Sequence, residues 1–282
     1  MSYFTLAAIE LSLLGLLAGL AGTLIVLRRR SFFAVALSHA TFPGGVVFAI
    51  AGLNLLLGQA LFALVLVLLM TLLGKVPGQG RQVTSGVVLS FGFALGTLLA
   101  SLNPGLGIPV EALLVGSPLS VSGGDVAATG AVLVLALGVL ALTRRRILFH
   151  TFDPVGFAAA GFKSWPVELI VTGVIAAAVV VAMPAVGAIL GVAVIIGPAA
   201  TARVLTSRLA LIPPLAAGIG VLGGLVGLWV SREFAIAAGG AVGLVIAGLF
   251  ILAVVARAIA DRVGHRSGEF ATVGGKTPAR EG

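Results

Sequence analysis

Apolar residues fill this chain in long uninterrupted blocks, and the polar residues collect between the blocks. Read by length, the blocks predict nine helices near 7–27, 42–57, 60–73, 83–101, 126–143, 167–183, 185–202, 209–230 and 234–256. About twenty apolar residues, at about 1.5 Å each, match the roughly 30 Å hydrocarbon core of a bilayer. A transmembrane barrel would alternate polar and apolar positions in strands of about ten residues, and that alternation is absent. The expected fold is therefore all-α, a polytopic membrane helical bundle of about nine transmembrane helices. Eight or ten are the other counts, because Met183-Pro184-Ala185 and Gly58-Gln59 are very short for reversals and could instead interrupt helices that line a cavity. The first block is followed, not preceded, by arginines, the reverse of a signal peptide.

Composition agrees with the pattern: 60% of residues are apolar and 9% charged, too little polar surface for a water-soluble domain of this length. The 40 glycines would weaken helices in water, but in lipid they let helix backbones approach closely. Cysteine is absent, so disulfides and thiolate metal sites are excluded. With the Arg28–Arg30 end placed in the cytoplasm and nine crossings alternating from there, all 17 basic residues except Arg232 fall inside. That bias follows the positive-inside rule and predicts an outer N-terminus and a cytoplasmic C-terminus. The arginine runs then read as topology signals, and nucleic acid is not an expected partner.

Three stretches lie outside the blocks. Residues 102–124, with Asn103-Pro104, Ile108-Pro109 and Ser117-Pro118, predict an outward loop with short structured pieces. Residues 257–282 read as a basic, partly disordered cytoplasmic tail behind a membrane domain of residues 1–256. Between them, the cytoplasmic connection 144–166 contains TFDPVGFAAAG from Thr151 to Gly161. Asp153 suits an N-cap, Pro154 the first helical position and Gly161 the C′ position. A helix of about seven residues is unstable alone in water. It either packs on the chain's own helices or docks a cytoplasmic subunit, with Phe157 as its apolar anchor.

Enzyme signatures are missing. There is no GxxxxGK[ST] phosphate loop, HExxH pair or GxSxG elbow. The acids fall at block ends or in loops, which argues against proton- or sodium-coupled carriage. His39, in RRRSFFAVALSHATFPGG from Arg28 to Gly45, is the one imidazole among apolar neighbours. It could bond a carbonyl, Ser38 or Thr41 and brace a bend at Pro43. Alternatively it could touch a divalent metal in transit, since neutral imidazole suits such ions. One histidine makes a transient contact, not a tight site of three or four ligands.

Three regions resemble the membrane permeases of zinc, manganese and iron ATP-binding-cassette importers, the ABC-3 type metal permease family. RRRSFFAVALSHATFPGG is similar to its segment built on Asp-Ala-Leu-Ser-His-Ala with a following Pro-Gly. TFDPVGFAAAGF is similar to its cytoplasmic segment, and AMPAVGAILGVAVIIGPAATARVL from Ala182 to Leu205 to its run ending Pro-Ala-Ala-Thr-Ala. The resemblance implies a type II importer-like bundle in a bacterial-type plasma membrane. It implies a homodimer, a cytoplasmic ATP-binding-cassette ATPase and an extracytoplasmic metal-binding protein. No tightly bound cofactor is expected; a divalent metal is the cargo. Asp153, Pro154, Phe157 and Gly161 are then the residues expected at the ATPase coupling segment. Pro43, Gly44, Gly187, Gly191 and Pro198 are those expected in helix packing and gating, with Gly187-xxx-Gly191 as an interface that re-packs. His39 matches the family's histidine, whereas its aspartate, four residues earlier on the same helix face, is Val35 here. That departure keeps open a metal chelate or non-metal solute as cargo, or a non-transporting scaffold or regulatory subunit.

Overall fold

The computed structural model describes residues 2–74, 80–104 and 116–273, with the backbone alone for Arg81 and residues 263–273. Its main elements are α1 (Tyr3–Leu27), α2 (Ser31–Ile50), α3 (Leu55–Leu73), α4 (Arg81–Ser101), α5 (Gly123–Phe152), α6 (Pro154–Ala159), α7 (Ser164–Leu205), α8 (Ile212–Phe234) and α9 (Ala238–Val273). A π-helical turn, Ala18–Gly22, interrupts α1. Among the described residues eight helices are long and apolar enough to cross a membrane.

One of the eight is two crossings. α7 has 42 residues and would be about 60 Å long if straight, twice the hydrocarbon thickness. Its chain breaks at Gly187, where φ is 72° and ψ 173°. Past the break it turns back: a Cβ on Gly191 would lie 3.7 Å from Cβ of Ala182, a pair about 13 Å apart along a straight helix. The two arms also meet the same end of α1. Glu168 bonds Arg28, while Ile195 and Ala199 press on Gly22. α7 is therefore a helical hairpin of arms 164–186 and 188–205, and the described residues make nine passes.

The passes alternate. Arg28, His150, Thr151 and Glu168 meet at one end. Phe4 lies under Arg232 and Glu10 bonds Thr129 at the other.

Several boundaries differ from the hydropathy reading: α5 runs on through Arg144–Arg146 to Phe152, and the two largest changes flank α2. The second pass starts at Ser31, not near residue 42, so His39 lies inside the span and not at its end. Ser38, His39 and Thr41 lower the local hydropathy there, yet the chain only bends at Thr41 before Pro43 and runs on to Ile50. The following turn is not Gly58-Gln59. It is Ala51–Asn54, closed by Gly52 at φ 67° and by the Asn54 side chain, which accepts from the amides of Leu56 and Leu57. Gly58 instead packs against Gly44: a Cβ on either would fall within 2.5 Å of the other's carbonyl oxygen.

That contact is typical of the bundle. Lipid supplies no hydrophobic drive between helices, so close packing at small residues must do so. α1 and α8 approach through Gly15 and Gly220, and α2 and α4 through Ala40 and Gly92. The α7 hairpin is the most buried element, and α5 and α9 leave their apolar faces open.

Gly187 and Gly191 do not form a stripe between helices. Gly187 is the hairpin apex, at a backbone angle that only glycine tolerates, and Gly191 faces back onto Val186 and Ala182. Pro198 is buried in the returning arm. Ser117 N donates to the carbonyl of Pro184 near the apex, so the end of the 102–124 loop caps the hairpin. The tail continues as helix to Val273. Ile108-Pro109 of the loop, Lys75, Glu111 and residues 274–282 lie outside the described residues.

Candidate translocation and coupling site

His39 is the ninth residue of α2 and half-buried. Its ring stands edge-on to Phe93 of α4, centroids 6.3 Å apart. It forms no hydrogen bond among the described residues, so it does not brace the bend. Ser38 Oγ donates to the Val35 carbonyl and Thr41 Oγ1 to the Ser38 carbonyl, and these hydroxyls support the bend instead. Val35 lies one turn before His39 on the same face and is also half-buried. Among the described residues no three His, Cys, Asp or Glu side chains gather closely enough to hold a metal ion. Pro43 and Gly44 are buried immediately beyond the bend, at the α3 contact.

The short helix α6 forms as its residues dictate. Asp153 caps α6, its Oδ1 accepting from the Gly156 amide at 2.7 Å, and Pro154 is its first residue. At the other end Gly161 takes φ 80°, Phe162 N donates to Phe157 O, and Gly161 N to Ala158 O. This is a Schellman stop, with the Phe162 ring packed on Phe157. Of the two roles open to the short helix, packing on the chain's own helices or docking a partner through Phe157, the structure favours the first by turning Phe157 inward. It is 1% exposed and packs among Phe149, His150 and Phe162. The face that α6 offers outward is Val155, Ala158 and Ala159, beside Phe152 at the end of α5, with Val155 78% exposed.

Beneath α6 lies an ionic tie that the reading of the arginines as topology signals does not predict. Glu168 in the first turns of α7 accepts from both Arg28, at 3.3 Å, and Arg30. Arg28 also donates to Thr151 Oγ1 and lies 3.1 Å from His150 Nδ1. The α1–α2 turn, the end of α5 and the start of α7 are thus fastened at the point where α6 leaves and rejoins the bundle. An acid on the arginine-rich side of a span, across from three arginines, was the available signal for Glu168. Glu10 is likewise buried in α1, with Oε1 accepting from Thr129 at 2.7 Å.

Nine alternating passes, a capped helix on the arginine-rich end and a half-open imidazole in mid-span define a multi-pass membrane permease subunit. This chain belongs to the ABC 3 transport family, whose model matches residues 1–257. It is 31% identical over 252 residues to the manganese transport system membrane protein MntC of Halalkalibacterium halodurans, covering 89% of this chain and 86% of that one. To the zinc transport system membrane protein TroC of Treponema pallidum it is 35% identical over 251 residues, covering 86% and 84%. Among solved structures, PsaBC from Streptococcus pneumoniae in complex with Fab matches with a TM-score of 0.80 at 27% identity, covering 90% of this chain and 91% of that one.

Proposed function

We propose that this chain is the membrane-spanning permease of an ATP-driven importer for a divalent transition metal, of the manganese, zinc and ferrous iron class. The observation that carries this reading is the family match along the whole bundle, with relatives named for manganese and for zinc transport. ATP is hydrolysed in a separate cytoplasmic subunit that docks on Val155 and its exposed neighbours. Two copies of the permease pair, an extracytoplasmic protein delivers the metal, and the Arg28 end faces the cytoplasm of a bacterial plasma membrane. The N-terminus is outside and the C-terminus inside, as the distribution of basic residues favours.

In this reading motion imposed on α6 reaches α5 and α7 directly, and reaches α2 through Glu168 and Arg30. α2 carries His39, which touches the passing ion as a borderline ligand. A single weak contact suits a conduit, because a site must release as readily as it binds. Val35 leaves this helix face without the family's carboxylate, so the ion meets imidazole alone there.

The test is metal uptake in cells lacking their own importers, with the partner subunits co-expressed, for wild type, His39→Ala and Val35→Asp. Uptake lost in His39→Ala and raised in Val35→Asp is the expected result. No metal uptake in any of the three would remove the metal from this reading and leave only the permease.

A further inference from the structure

We propose that a cavity beside the α1–α2 turn binds the phosphate of an anionic phospholipid headgroup. The cavity has a volume of about 380 Å³ and lies among the starts of α2, α4 and α7 and the end of α3. Its lining contains three guanidinium groups, Arg28, Arg29 and Arg30, against one carboxylate, Glu168. Three positive charges less one negative leave two in excess, so the cavity repels a divalent cation and lies off the cargo's route.

Arg28 and Arg30 are turned onto Glu168. Arg29 is exposed, and its guanidinium makes no ion pair or hydrogen bond among the described residues. Thr84 lines the same cavity, is 4% exposed, and its Oγ1 is buried with no hydrogen-bond partner among the described residues. Buried hydroxyls are rarely left so. A phosphate oxygen would accept from it while the others take the Arg29 guanidinium, the pairing at which arginine excels.

The source of that phosphate follows from the rim. Trp165 is 60% exposed and Phe32 43%. Both border the cavity, and such aromatics sit at headgroup level in membrane proteins. Basic pockets between helices at an anionic leaflet recruit lipid headgroups. The inference rests on the multi-pass reading and is indifferent to the cargo, so it and the uptake test can fail separately.

The chain has two tryptophans, so a Trp229→Phe variant in detergent makes Trp165 the sole reporter. It would be titrated with short-chain phosphatidylglycerol, phosphatidylcholine of the same chain length, and inorganic phosphate. Saturable change of Trp165 emission with phosphatidylglycerol and none with phosphatidylcholine is expected. Arg29→Gly should weaken that response about tenfold, the loss of one charge-assisted hydrogen bond. Thr84→Val should weaken it by a smaller factor, and Arg29→Asn repeats the charge removal in a second background. Equal responses to the two lipids, or an unchanged titration in both Arg29 variants, would overturn the site. Inorganic phosphate saturating the signal as readily as phosphatidylglycerol would overturn the lipid as its source.

Discussion

Removing the Glu168 carboxylate should destabilise this protein far more than removing any surface acid. Two arginines share Glu168, and all three side chains are largely withdrawn from solvent. Glu168→Ala removes the carboxylate that both guanidinium groups share at the edge of the bundle. Breaking a buried pair from one side typically costs about 3–5 kcal/mol. For a chain of this size that is a fall of about 10 °C in the unfolding midpoint, at roughly 2–4 °C per kcal/mol.

The internal comparison is Arg257–Asp261, a pair with similar atoms and a 3.2 Å separation, but on an exposed helix face. There Asp261→Ala should cost about 0.5 kcal/mol or less. Thermal unfolding of both variants in one detergent reads the contrast directly, and Glu168→Ala/Arg30→Ala should recover part of the loss. A Glu168→Ala midpoint within 2 °C of Asp261→Ala would refute the argument that burial makes this tie matter.

Two further outcomes follow from the backbone and from α6. Gly187→Ala forces a side chain into the hairpin apex at φ 72° and should cost about 1–3 kcal/mol; Gly173→Ala, whose Cβ would meet nothing within 4 Å, should leave the unfolding midpoint unchanged or raise it. Phe157→Ala should lower stability by about 3–5 kcal/mol, as for other buried aromatics, whereas Val155→Ala should leave the midpoint in place and, if the proposed ATPase partner docks on α6, reduce its co-purification. Reversed ranks in that last pair would return Phe157 to the role of partner anchor.

The sequence made the passes legible where a run of apolar residues was bounded by charge, as at Arg28–Arg30 and at Arg144–Arg146. It made α6 legible to the residue, because capping is local chemistry: Asp153, Pro154 and Gly161 act on backbone within a few positions. It misplaced the second pass because hydropathy averages Ser38, His39 and Thr41 as polar. Inside the helix the Ser38 and Thr41 hydroxyls turn back onto carbonyls of their own chain. The inward turn of Phe157 was not legible, since nothing in a seven-residue helix says which side of it holds the bundle. Nor was the partner of Glu168, which is 138 positions from Arg30 and brought there only by the packing of α7 against α1 and α2. Gly187 was the reverse case. Its spacing to Gly191 suggested a packing stripe, but the need was for a backbone angle.

The three arginines show how differently adjacent like residues are used. α1 ends in a Schellman stop in which Arg30 N donates to Ile25 O and Arg29 N to Val26 O. The C′ position of that motif is usually glycine, but here it is Arg29, at φ 53°. An L-residue in that conformation gives up about 1 kcal/mol. Its neighbours are turned inward to Glu168, and the strained geometry points the middle guanidinium elsewhere. Arg29→Gly should therefore raise the unfolding midpoint by a few degrees in pure zwitterionic detergent, while the same change weakens the response to phosphatidylglycerol. Opposite signs in one variant separate a residue kept for its charge from one kept for the turn. A variant that loses stability instead would show that Arg29 holds the turn, and its exposure would then carry no meaning for a ligand.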